Sequence, residues 1–356
     1  MTDHAAGSAP DPAALRAARR DDPKARDRDL AERLDAPEAA LVAAHVGAGD
    51  GMRALPLDPR PDALIPMIGG LAEVMALTRN AHCVIETVGR YDDWTPGEHA
   101  AMVLSPGVDL RIFPRHWAHA YSVERETPGG VMRSVQAFDA AGDAVHKVFL
   151  REGSDLAGWE ALRLALGRPD APAPAFAPRA PTEAAQGDAA KADTLRREWA
   201  RMSDSHQFLR MVSKLKMNRL GAYRMAGEPF ARRLAPGAVR ATLEGLAARG
   251  FPAMVFVGNR GCIQIHAGPI RSLEPMGPWL NVMDPGFNLH LREDRVAEVW
   301  LVEKPTRRGP ALSVEAFAAD GDLILQVFGY RKPEVDHVPD FDALANTLSV
   351  LPETVA

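Results

Sequence analysis

The chain is poor in the features that would mark several common classes of protein. It has two cysteines among 356 residues, too few for a disulfide framework or a cysteine-rich zinc site. It has no surplus of basic charge: 42 Lys and Arg stand against 47 Asp and Glu, a net −5. That balance argues against a dedicated nucleic-acid binder. No apolar run approaches the roughly 18 residues of a membrane-spanning helix, so no membrane insertion is expected. The opening MTDHAAGSAPDP lacks a basic n-region and an apolar h-region, so it does not read as a secretory signal, and a cytoplasmic location is expected. The first dozen residues are expected to be disordered. GxxxxGKS/T, HExxH, GxSxG and GxGxxG are all missing, which removes the phosphate-loop, zinc-protease, α/β-hydrolase and dinucleotide-binding readings.

What is present is an internal repeat. A shift of 179 positions lays Asn80 on Asn259, Cys83 on Cys262, Pro106-Gly107 on Pro285-Gly286, and SVQAFDAAGD on SVEAFAADGD. Over residues 80–150 the two copies share 22 identities in 71 gapless columns, a duplicated domain. The Pro- and Ala-rich stretch 167–193 separates the copies and reads as an extended linker. The expected division is an N-terminal repeat at 13–166, the linker at 167–193, a C-terminal repeat at 194–335 and a tail at 336–356.

Each copy begins with helical stretches, around 13–48 in the first and around 194–227 and 237–248 in the second. Alternating strands follow, such as 82–89, 108–113, 119–125 and 133–142, with 261–268, 287–291, 296–304 and 312–321 as their counterparts. Helices first and strands afterwards, twice over, indicate an α+β fold. Two similar halves are expected, each with a large antiparallel sheet and flanking helices.

Few local motifs carry chemistry on their own. His116 and His119 form an HxxH in a strand-like run, which points to a structural role. Cys83 and Cys262 occupy matching strand positions and read as core packing. The run from Asp193 to Gly227 reads as one helix that places Leu195, Trp199, Met202, His206 and Leu209 on one face. A histidine there is either a core residue bonded to a carbonyl or an axial haem ligand. Arg210, Lys214, Lys216 and Arg219 nearby are either a solvated face or a set of carboxylate-binding cations.

The repeat adds an asymmetry. Polar positions diverge while the scaffold persists: Arg111 aligns with His290, His146 with Leu325 and Lys147 with Gln326. With the helices aligned near a shift of 181, His206 faces Ala25 and Arg219 faces Glu38. One functional site, owned by the C-terminal repeat, is expected rather than two.

Taken in order, RNAHCVIETVG, VDLRIF, HWAHAY, RSVQAFDAAGDAVHKVFLR, DSHQF, VGNRGCIQIHAGPI, MGPWLNVMDP, FNLHLRED and FGYRKP resemble the hemin-degrading and haem-transport factors of bacterial haem uptake. The resemblance covers about residues 13–335. It implies two stacked, similar halves with haem in a cleft of C-terminal elements, reached by a distal arginine from the N-terminal half. It implies that His206 of the DSHQF string is the axial iron ligand and that Arg111 stands on the distal side, with Phe113 along the same strand. It makes Arg219, Lys304 and Arg331 the cations for the haem propionates, and Phe256 and Gln326 part of the lining. Some members carry a tyrosine near the position of Leu325; this chain has leucine there, and Tyr330 five residues on.

The implied ligand is one non-covalent haem b per chain. Two functions share these residues. The first is a cytoplasmic haem-binding protein that receives haem from an importer on the inner membrane face and sequesters it or passes it to an acceptor. The second is an enzyme that opens the porphyrin ring and frees iron with electrons from an external donor, since the chain carries no flavin or nicotinamide motif.

Overall fold

The structure is a computed structural model that describes residues 11–49 and 51–351; most of the N-terminal dozen lies outside the described residues. It divides into two units. The first holds residues 1–79, 86–180 and 258–264, and the second holds 80–85, 181–257 and 265–356. The boundary at 180/181 falls in the expected linker. Each unit also takes in a short segment from the other half of the sequence.

The first unit carries an antiparallel run of strands in the order Met52–Leu57, His119–Thr127, Gly130–Phe138, Ala144–Leu150 and Val74–Arg79. Alternation sets its two faces. Val74, Ala76, Val135 and Val148 pack with Leu64, Ile65 and Ile68 of the helix Pro61–Gly69 and with Trp159 and Leu162 of the helix Leu156–Leu166. Met52, Ala54, Tyr121, Val123 and Phe138 turn the other way, toward Ala39 and Val42 of the helix Glu38–Ala43.

The second unit repeats this plan with Ala231–Leu234, Glu298–Lys304, Ala311–Phe317, Leu323–Gly329 and Ala253–Gly258. Val299, Leu301, Val314, Leu325 and Val327 face Val239, Leu243 and Leu246 of the helix Ala238–Arg249. Trp300, Val302 and Phe317 face the helices Ala192–Ala200, Gln207–Lys214 and Arg219–Ala226. The duplication extends to irregularities: the register shifts at Ala137/Phe138 in one unit and at the matching Ala316/Phe317 in the other.

Two repeated motifs are explained by turn chemistry. Pro106-Gly107 and Pro285-Gly286 are two-residue hairpin loops, joining Ala101–Ser105 to Val108–Ile112 and Trp279–Asp284 to Phe287–Arg292. Both glycines sit at φ +81°, a conformation that side chains resist. The repeated asparagines open the exchanged segments. Asn80 Oδ1 accepts from the backbone N–H groups of His82 and Cys83, both at 2.9 Å, while its amide donates to Ile324 O at 2.8 Å. Asn259 does the same with Gly261 and Cys262, and donates to Arg79 O and Val145 O, each at 2.9 Å.

One expectation needs correction, and two gain detail. The run 193–227 is not one helix but three, ending and restarting around 201–206 and 215–218. The linker also packs on the first unit, with Phe176 5.2 Å from the His119 ring and Arg179 paired with Asp143 at 2.7 Å. The tail holds the helix Val338–Ala345, whose Phe341, Leu344 and Ala345 are buried in the second core. A buried phenylalanine truncated to alanine costs about 3–5 kcal/mol. Phe341→Ala should therefore lower the free energy of unfolding in urea by about that amount; a loss below about 1 kcal/mol would mean the tail helix is not part of the core.

Candidate functional site

The break in the predicted long helix is built by the string Ser203-Asp204-Ser205-His206-Gln207. Short polar side chains compete with helical hydrogen bonds through local contacts of their own. Asp204 Oδ1 accepts from the backbone N–H of His206 at 2.9 Å and lies 2.7 Å from its Nδ1. Gln207 reaches back, its Oε1 accepting from the Ser203 N–H at 3.0 Å. His206 becomes the N-cap of the helix Gln207–Lys214. Its side chain is 92% exposed, so it is not part of an apolar stripe. Leu209 is also out in solvent, while Leu195, Trp199 and Met202 are buried. With Nδ1 donating to Asp204, Nε2 is left with the available lone pair, the arrangement that orients a metal-binding imidazole. Those two bonds, backbone first, hold the Asp204 carboxyl below its usual range.

Two residues on, Phe208 is buried against Trp199, at 4.7 Å between ring centroids, and Tyr223, at 5.5 Å. It ties the histidine's helix to a cluster of charge. Lys304 Nζ lies 5.1 Å from the Phe208 ring and the Arg219 guanidinium 6.0 Å. Both cations converge on Glu315. Lys304 Nζ donates to Glu315 Oε1 at 2.6 Å and to the Tyr223 hydroxyl at 3.1 Å. Arg219 Nη1 donates to Glu315 Oε2 at 3.0 Å, and the Tyr223 hydroxyl donates to the same oxygen at 2.8 Å. Ser313 completes the shell with a bond to Oε1 at 2.9 Å. Lys304 is 3% exposed and Glu315 fully buried.

Burial alone would raise the pKa of Glu315, but Lys304, Arg219 and the hydrogen bonds outweigh it and hold the carboxyl at about 2. Burial pulls Lys304 down, against the attraction of Glu315. Burial likewise opposes the charge on Arg219, yet Tyr223 and Glu315 raise its pKa on balance. Two cations face one carboxylate.

Beside the cluster the sheet offers a flat row. Register places Trp300 opposite Glu315, Glu315 opposite Gln326, and Gln326 opposite Phe256. Gln326, Phe256 and Phe328 are half-buried, with the two phenylalanine rings 5.0 Å apart. Leu325, one step out of phase, points into the opposite core, so its position belongs to packing in this chain.

The structure thus brings Arg219, Lys304, Gln326 and Phe256 to one sheet face and joins His206 to them through Phe208. Arg331 is not drawn into the cluster: it pairs with Asp336 at 2.9 Å and donates to Arg308 O at 3.2 Å. Arg111 and Phe113 belong to the first unit. There Arg111 pairs with Asp109 on its own strand, and the backbone N–H of Phe113 donates to Gly261 O at 3.0 Å. A cavity of about 720 Å³ in the first unit, walled by Ala40, Leu57, Tyr121, Arg168 and Phe176, contains none of the expected site residues. Among the described residues no group of three or more His, Cys, Asp or Glu side chains is placed to hold a metal ion. His116 bonds to its neighbour Arg115 at 3.0 Å instead. Both cysteines are buried and neither forms a disulfide.

Sequence reasoning missed Glu315, Tyr223 and Asp204. The signal for Glu315 was present: SVQAF and SVEAF differ at one residue, Gln136 against Glu315.

A family model described as the haemin-degrading HemS.ChuX domain matches residues 35–166 and 216–348, once in each repeat. The chain belongs to this family. It is 38% identical over 305 residues to the hemin transport protein HmuS of Yersinia pestis, covering 85% of this chain and 87% of that one. It is 36% identical over 315 residues to the hemin transport protein HemS of Yersinia enterocolitica, covering 88% and 90%. Among solved structures, the haem-bound form of PhuS, a heme-binding protein from Pseudomonas aeruginosa, superposes with a TM-score of 0.89 at 42% identity, covering 96% of this chain and 99% of that one. The heme-degrading enzyme ChuS of Escherichia coli O157:H7 gives 0.85 at 30% identity, covering 93% and 96%. The two matched regions fit the duplicated α+β fold with large antiparallel sheets.

The Glu315 cluster makes a pH prediction. An unperturbed glutamate titrates near about 4.3, well above the folded value of about 2. A depressed carboxyl adds stability in full above the unfolded pKa and loses it as pH falls through the folded one. Denaturant unfolding at a series of pH values between about 5 and about 2 should therefore show a steeper loss for the native chain than for Glu315→Gln. Equal slopes would mean Glu315 is not ionised in the folded protein.

Proposed function

We propose that the protein binds one haem per chain in its C-terminal repeat, with His206 as axial ligand, and handles that haem during haem uptake and iron utilisation. It receives imported haem in the cytoplasm and sequesters or delivers it. The observation that carries the reading is the exposed His206 imidazole, oriented by Asp204 and linked through Phe208 to a cation pair with one charge to spare.

The chemistry of the site suits haem b. The half-buried Phe256 and Phe328 rings offer apolar surface to a flat disc, and Arg219 with Lys304 suits a propionate, since charge-assisted bonds to carboxylates are the strong ones. The first repeat lacks this set. Ala25 stands where His206 would recur, Glu38 takes the column of Arg219, and Lys147 is bound to Glu38 at 2.5 Å. The relatives are named for hemin transport and for heme binding, which supports the carrier role. An importer on the inner membrane face and a haem acceptor are the partners this role requires. No helix of the described residues is long and apolar enough to cross a membrane.

A second reading is favoured by the likeness to an enzyme named for heme degradation: haem as substrate, opened with electrons from an external donor. Arg111 and Phe113, in the first unit, take their distal role from motif likeness alone. Arg111→Ala should slow any reductant-driven ring opening, followed by absorbance with catalase present, far more than it weakens haem affinity. Weaker affinity with unchanged ring opening would make Arg111 a binding residue only.

The main test is a haem titration followed in the Soret band. Saturation at one equivalent is expected. His206→Ala should shift the band while keeping much of the affinity, because apolar contact and charge pairing persist. Two equivalent sites, or a variant spectrum identical to the native one in both iron oxidation states, would overturn the assignment.

A further inference from the structure

Haem brings carboxylates to the C-terminal repeat, and the two cations suited to them are already bound to a buried carboxylate. Binding alone does not require that arrangement. In the first repeat the same column holds the neutral Gln136, so the strand tolerates an amide at this place. The acid is also well held. Lys304 and Ser313 bond one oxygen, and Arg219 and Tyr223 the other. Side-chain exposure is 4% for Lys304, 0% for Glu315 and 21% for Arg219, so the arginine alone of the three reaches the solvent side. A buried cation and a buried anion thus lie behind a partly exposed cation.

We propose that Glu315 is the charge-setting and positioning residue of the propionate subsite, holding Lys304 and Arg219 in place while limiting their surplus to one positive charge. The subsite then takes one ionised carboxylate and holds it weakly enough to hand the haem on. This rests on the haem reading given above and adds to it a residue that touches no haem.

The mechanism is competition. A propionate approaching Arg219 shares that guanidinium with Glu315, so part of its attraction is spent before it arrives. Without Glu315 the pair would present two uncompensated charges, and release would slow. Without Arg219 the remaining Lys304 and Glu315 would cancel, and the carboxylate would have no partner. Affinity for the carboxylate should therefore follow the net charge of the cluster, not the number of its cations.

The test compares iron protoporphyrin IX with its dimethyl ester, which keeps the disc and the iron but has no carboxylates. The quantity read is the ratio of the ester's Kd to the diacid's, together with the rate of loss of the diacid haem to apo-myoglobin. Net cluster charge is one positive in the native chain, two in Glu315→Gln, zero in Arg219→Gln and one in the double variant. Relative to the native chain, the ratio should rise about tenfold in Glu315→Gln and fall about tenfold in Arg219→Gln, the size of one charge-assisted bond. In the double variant it should return to within about threefold of native. Haem loss should be slowest from Glu315→Gln.

A purely architectural Glu315 would weaken diacid and ester alike, and adding its loss to Arg219→Gln would make matters worse. An unchanged or lowered ratio in Glu315→Gln, or a double variant that tracks Arg219→Gln, overturns the proposal. If Glu315→Gln does not fold, as judged by circular dichroism, the double variant against Arg219→Gln decides: restoration supports the proposal and its absence overturns it. Failure of the underlying haem reading looks different. The native chain would then bind diacid and ester equally, or neither, before any substitution is made.

Discussion

A single buried carboxylate, Glu315, constrains the second unit. Taking it out of water is costly, and only close partners repay that cost. Those partners come from separate places: Lys304 from the neighbouring strand, Ser313 from Glu315's own strand, and Arg219 and Tyr223 from one helix a turn apart. The helix Arg219–Ala226 must therefore lie across this face of the sheet with its first turn over Glu315. Phe208 then has its place set by Tyr223 and Trp199, and with it the helix whose cap is His206. The position of the candidate iron ligand, itself exposed, follows from charges packed in the interior.

The two repeats are a controlled comparison inside one chain. Their sheets share strand order and the same bulge, yet the polar interior has been exchanged. The first unit buries His146 between Tyr91, at 2.6 Å from Nε2, and Thr78, at 2.8 Å from Nδ1. Burial pushes that imidazole down to about 3, so it is a neutral packing group. At its column the second unit has Leu325, fully apolar. Conversely, Glu38 and Lys147 in the first unit form a closed pair where the second has Arg219 and Gln326. An acid supplied by the protein sits where the other repeat offers a cation.

Much of this was legible in the sequence. Strand alternation, the Pro-Gly turns and the duplication are short-range or comparative signals, and they gave the α+β class with antiparallel sheets. Arg219, Lys304, Phe256 and Gln326 were reached through motif likeness; the sheet register sets the last three on one face, and the bond to Glu315 brings Arg219 over it. What escaped notice depends on tertiary partners. Helical spacing through 193–227 said nothing of the side-chain bonds of Asp204 and Gln207 that end one helix and start another. Glu315 lies in an alternating strand, where a polar residue reads as solvent-facing until its partners from other elements are known. The helix in the tail was not foreseen because eight helical residues carry little pattern of their own; their burial comes from the sheet they cover.

The exchanged segments bear on the order in which the protein can be made. The first core includes Cys262, so the N-terminal unit cannot finish assembling until the ribosome has travelled well into the second repeat. The second core includes Cys83 and Ile85 along with Leu348, so two of its residues leave the ribosome early and wait for nearly the whole chain. Contacts of such long sequence separation close slowly, and unpaired strand edges are exposed meanwhile. Asn80 and Asn259, each fixing its segment's turn with a local pair of hydrogen bonds, shape those waiting strands before their long-range partners exist.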